Sequence, residues 1–147
     1  KLKISKGEAS ETLRKLNSKK LLLCKKKGNM RFYQIKEDNP VVKQYKISLA
    51  INQINFLIEK LKKASKEIIL FGSASRGEQT AESDIDLFIL TNDKARIQKI
   101  LNKQKIKLPI KAVIKTPNEW SELEIKEPEF YNEVKKGVKL YRYVPTF

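Results

Sequence analysis

Residues Ile68-Ile69-Leu70-Phe71-Gly72-Ser73, followed ten residues later by Asp84-Ile85-Asp86-Leu87-Phe88-Ile89, constrain this chain more than any other stretch. They predict a buried apolar strand, a tight Gly-Ser turn, a short polar crossing and a second apolar strand. Successive strand side chains point to opposite faces, so Asp84 and Asp86 share one face while Ile85 and Leu87 pack on the other. Two carboxylates held side by side repel each other unless a cation lies between them. Hard oxygen ligands of this kind suit Mg²⁺, which takes one or two protein carboxylates together with phosphate oxygens. The glycine and serine just ahead supply backbone N–H groups and a hydroxyl that approach a phosphate closely. One short span therefore points to both a metal and a triphosphate.

The rest of the chain is organised around charge. The formal net charge is +15, and it is unevenly spread: Lys1 to Lys66 holds 18 basic and 5 acidic residues, Glu67 to Phe147 holds 14 and 12. Such asymmetry suggests two parts, the basic one facing a polyanion. A lysine-rich chain with merely soluble surfaces is the plainer explanation. No apolar run approaches the length of a membrane span, and no signal-peptide pattern is visible. Cys24 stands alone, which excludes an internal disulfide and fits a reducing interior, so the expected location is cytoplasmic. Within its apolar run, Cys24 reads as a small buried hydrophobe.

Taken in order, Ser5-Lys6-Gly7-Glu8 is a capping box opening a short helix, with Ala9, Leu13 and Leu16 on one face and Gly7, Ser10, Glu11 and Arg14 opposite. Leu21 to Cys24 reads as a strand, Lys25 to Asn29 as a basic turn, and Met30 to Ile35 as a returning strand. Glu37-Asp38-Asn39-Pro40 is punctuation. Val41 to about Ala64 follows as one long helix. Ile47, Ile51, Ile54, Ile58 and Leu61 form its seam, and Val42, Tyr45, Leu49 and Phe56 a second apolar flank. One flank is expected to pack within the chain; the other either packs too or forms a homodimer through the 41–64 helix. Beyond the motif come a helix capped near Asp93 and ending near Lys105, and a strand over Lys107–Ile114 with Pro109 at its start or on an edge. Then come a helix opened by the capping box Thr116-Pro117-Asn118-Glu119, a helix over Pro128–Lys136 stopped by Gly137, and a strand over Val138–Arg142.

Gly72-Ser73, ten residues, then Asp84-x-Asp86 between two apolar strands resembles the signature of the nucleotidyltransferase superfamily related to DNA polymerase beta. The nearer likeness is to its small prokaryotic minimal branch, where Gly-Ser-x-x-Arg-Gly-Glu leads to Ser-Asp-Ile-Asp-Leu, and it covers Lys66 to about Arg142. The resemblance implies transfer of a nucleoside monophosphate from a nucleoside triphosphate to an acceptor, with Gly72 and Ser73 holding the triphosphate and Asp84 and Asp86 binding Mg²⁺. Arg76 either neutralises phosphate charge or braces a carboxylate such as Glu78 or Asp84. The helix and hairpin of residues 1–39 resemble the second half of a winged helix-turn-helix, with Lys1 to Ile4 as the tail of a preceding helix. That resemblance implies contact with double-stranded DNA through Ser10, Arg14, Lys25, Lys26, Lys27 and Arg31. The expected class is α+β: a partial winged helix-turn-helix (1–39), a linking helix (40–66), and a small mixed β-sheet with helices (67–147).

One departure stands out. The family's third carboxylate arrives on a later strand, here Lys107–Ile114, which contains no acid; its place falls at Lys111. Glu119, the nearest acid downstream, is explained by capping. Three functions therefore remain open at this level: a Mg²⁺-dependent transferase tethered to a DNA-binding module, a DNA-binding regulator whose transferase domain senses nucleotide or is inactive, and an antitoxin-like interaction protein.

Overall fold

A computed structural model describes residues 3–80, 82–103 and 109–144. The chain divides into two compact units, Lys1–Tyr45 and Lys46–Phe147.

The first unit is a helix and a hairpin. α1 (Lys6–Ser18) begins at the expected box: Glu8 N–H donates to Ser5 Oγ at 3.2 Å, and Ser5 N–H to Glu8 Oε2 at 2.8 Å. β1 (Leu22–Lys27) pairs antiparallel with β2 (Met30–Ile35). The expected basic turn is shorter than anticipated. Lys25, Lys26 and Lys27 belong to β1, and the reversal is the two-residue Gly28-Asn29, with Gly28 at φ +59°. A two-residue hairpin needs positive φ, which glycine supplies without strain. Cys24 is exposed rather than buried, on a two-stranded ribbon in which no residue of either strand is fully buried. None of the described residues up to Tyr45 is fully buried.

α2 (Pro40–Leu61) starts where Asn39 Oδ1 accepts the Val41 N–H at 2.8 Å, with proline at the first helical position. It ends in a single 3₁₀ turn, Lys62–Ala64. Ile54, Ile58 and Leu61 of the predicted seam are buried, joined by Ala50 and Leu57. Tyr45, Leu49 and Phe56 of the second flank are exposed.

In the second unit a four-stranded sheet has the order β5-β4-β3-β6, built from β3 (Glu67–Phe71), β4 (Ile85–Leu90), β5 (Ile110–Lys115) and β6 (Val138–Arg142). β3 is antiparallel to β4 and β6, while β4 and β5 are parallel. Pro109, which has no N–H to give, precedes β5, and its carbonyl accepts the Ile85 N–H at 2.9 Å. The expected helix end at Lys105 and strand start at Lys107 lie outside the described residues.

Strand alternation produces two cores. Ile68, Leu70, Ile85, Leu87 and Ile89 pack with α2 and with Ile97 of α4 (Lys94–Asn102). Ile69, Phe71 and Phe88 face the other way and pack with Trp120 of α5 (Pro117–Lys126) and with Phe130 and Val134 of α6 (Pro128–Lys135). Asp86, two residues from Phe88, lies on the α5–α6 side.

The second capping box is also present. Thr116 N–H donates to Glu119 Oε2 at 2.7 Å, and Glu119 Oε1 takes Lys94 Nζ at 2.5 Å. The Lys94 ammonium first, and then the Thr116 N–H, hold the Glu119 carboxyl at about 2. A lowered folded pKa contributes stability that is complete above the ordinary value of 4.5 and is lost as pH falls through about 2. Between those limits, thermal melts of Glu119→Gln are expected to lose less stability on acidification than the parent. Identical acid slopes would remove this role.

Candidate active site

Between β3 and β4 the chain makes a five-residue helix, α3 (Gly72–Arg76), rather than an open turn. Gly72 takes φ +67°, and Gly77 closes the helix at φ +68°. Gly72 is constrained a second time. A Cβ there would overlap Asp86 Oδ2 and lie 3.2 Å from Asp86 Cγ. The register explains this: Phe71 is the antiparallel partner of Asp86, so the next residue passes directly by the carboxylate. Glycine is the residue that lets the start of α3 and the strand bearing Asp86 touch.

Ser73 follows on the first turn of α3 and is half-buried. Ser75 Oγ is spent on the Gly72 carbonyl at 2.8 Å, whereas the Ser73 hydroxyl makes no hydrogen bond among the described residues. Arg76 braces rather than points freely. Its Nε donates to Glu78 at 2.8 Å, and Nη1 reaches Glu133 of α6 at 3.5 Å. Glu78 is the brace anticipated from the sequence. Glu133 is not: it lies 47 positions beyond Asp86 and becomes visible only when α6 packs on that face of the sheet.

Asp84 immediately precedes β4, and Ile85 and Leu87 point into the opposite core, as alternation requires. The Asp86 carboxyl is pushed up from the ordinary aspartate value. Burial is the largest cause; the Asp84 and Glu133 charges add to it, while Lys111 and Arg76 oppose it. A carboxylate so placed takes up a proton readily unless a cation lies beside it.

Lys111 is the cation nearest at hand. It is the parallel-strand partner of Asp86, and its ammonium is ion-paired with Asp84 Oδ2. The register sets Lys111 beside Asp86, on the strand where the third acid was sought. Among the described residues no group of three or more His, Cys, Asp or Glu side chains comes together to hold a metal ion. Asp84 and Asp86 fit one hard divalent cation whose remaining ligands would be phosphate oxygens and water.

Of the residues expected to meet DNA, Ser10, Arg14 and Arg31 come together. With Lys6, Asn29 and Tyr33 they line a cleft of about 580 Å³ in the first unit. Lys26 is the cross-strand partner of Arg31 and shares its face, while Lys25 and Lys27 fall on the opposite face of the hairpin with Phe32 and Met30.

No helix among the described residues is long and apolar enough to cross a membrane. The family model described as "Nucleotidyltransferase domain" matches residues 50–141. A solved chain from Sulfolobus solfataricus, provisionally assigned as a nucleotidyltransferase, aligns with a TM-score of 0.48 and 14% sequence identity over 71% of this chain and 91% of that one. No curated protein matches the chain. With the family match spanning well over half of its residues and enclosing Gly72, Ser73, Asp84, Asp86 and Lys111, the chain belongs to the nucleotidyltransferase domain family.

Proposed function

We propose that this protein transfers a nucleoside monophosphate from a nucleoside triphosphate to an acceptor nucleophile. In that reaction the acceptor forms a bond to the α-phosphorus, the bond from that phosphorus to the bridging oxygen breaks, and pyrophosphate leaves. The observation that carries this reading is the packing of Gly72 against the Asp86 carboxylate, because it brings the Gly-Ser start of α3 directly against the carboxylate-bearing strand. The α3 backbone and the Ser73 hydroxyl receive phosphate oxygens. Asp84 and Asp86 hold Mg²⁺. When bound, that ion supplies positive charge to the departing pyrophosphate. Arg76 orients α3 against α6 and adds its charge to the same side of Asp86. Metal-dependent binding of each of the four nucleoside triphosphates, followed by pyrophosphate release, tests the reading. Binding without release would instead favour a nucleotide sensor.

A second reading concerns residues 1–45. The cleft that gathers Lys6, Ser10, Arg14 and Arg31 supports contact with the phosphates of double-stranded DNA. A gel shift should appear at low salt and fade steeply, with a log–log slope of about −3 if three to four phosphates are neutralised. Absence of a shift even at the lowest salt would remove this function.

A further inference from the structure

Three observations meet at Lys111. Its backbone is fixed beside Asp86 by the β4–β5 register, its ammonium is ion-paired with Asp84, and other nearby acids are already engaged. Glu133, the further acid felt at Asp86, reaches Arg76, as does Glu78. We propose that Lys111 is a fixed cation that takes the place of a second metal ion, so that the site carries one divalent ion with its nucleotide and no more.

The charge balance carries the argument. Two carboxylates with nothing between them favour binding positive charge, and the Lys111 ammonium already supplies one unit of it at Asp84. An ion arriving with a triphosphate is held by Asp86 together with Asp84 and the phosphate oxygens, on the strand that passes Gly72. A second ion would have to settle against the ammonium, which repels it. Lysine cannot serve as its ligand either, since a protonated amine has three donors and no lone pair. Lys111 performs this role without being buried: its side chain is 70% exposed, so the ammonium keeps its hydration while its base is held on β5.

The inference rests on the nucleotide reading above, and the test separates the two. The full chain is saturated in turn with each of the four α,β-methylene nucleoside triphosphates, and bound Mn²⁺ is counted by electron paramagnetic resonance. Wild type is expected to hold one Mn²⁺ per chain. Lys111→Gln should also hold one, bound about tenfold more tightly once the repulsion is gone. Lys111→Asp should hold two. Two ions on wild type, or unchanged affinity in Lys111→Gln, would overturn the proposal while leaving nucleotide binding standing. Failure to bind any of the four analogues would overturn both. Should Lys111→Asp fail to fold, the wild-type count and the Lys111→Gln affinity still decide.

Discussion

Gly72→Ala is expected to abolish nucleotide binding and to destabilise the second unit. Two costs add at this position. An alanine at φ +67° suffers the left-handed strain, about 1–2 kcal/mol. Its methyl would also overlap the Asp86 carboxylate, so that either the strand or the side chain must move. Movement of Asp86 displaces a proposed metal ligand, so binding is lost even if the fold survives. Gly28→Ala is the matched control. Gly28 has nearly the same backbone, φ +59°, but a Cβ there meets nothing within 4 Å. It should cost about the strain alone, roughly 1–2 kcal/mol, and leave nucleotide binding untouched. Thermal melts with titrations of Mg²⁺–nucleotide separate the two variants. Equal binding losses in both would show that backbone strain, and not the contact with Asp86, is the operative cause.

The second large effect is predicted for the double substitution Asp84→Ala/Asp86→Ala. Transfer should fall about a thousandfold or more, the scale at which losing electrostatic stabilisation of a developing charge is felt. Stability should behave in the opposite sense to most buried substitutions. The raised pKa of Asp86 means that its ionised form is disfavoured in the folded state. Such a group lowers stability above its folded pKa, and the loss is relieved as pH falls through that value. Removing it should therefore leave the melting temperature of the metal-free protein unchanged or higher at neutral pH. A catalytic loss accompanied by unfolding would point to a structural role instead.

The elements that were legible in the sequence are those with a local rule. Both capping boxes form as written, because Ser5–Glu8 and Thr116–Glu119 carry the whole motif within four residues. The Ile85–Ile89 alternation places Asp86 on the face opposite Ile85, Leu87 and Ile89, and the β4–β5 register puts Lys111 beside Asp86. What escaped lacks a local signal. α3 is five residues long, too short for a helical period, and so reads as a turn. Lys25 to Lys27 look like a turn by composition, yet the ladder with β2 holds them extended. Cys24 looks buried from its apolar neighbours, but no residue of its two-stranded hairpin is fully buried. The approach of Glu133 to Arg76 and the ion pair of Lys111 with Asp84 are products of packing between distant segments. They alter the site more than any local element does.

The central claim is that Gly72, Ser73, Asp84 and Asp86 form a working transfer site despite the lysine at position 111. Pyrophosphate release with Mg²⁺ and each of the four labelled nucleoside triphosphates, compared between wild type and Asp84→Ala/Asp86→Ala, tests it most directly. The expected result is release by wild type with at least one nucleotide, and its disappearance in a double variant that melts no lower than its parent. Equal release by both proteins, or silence from wild type with all four nucleotides, would contradict it.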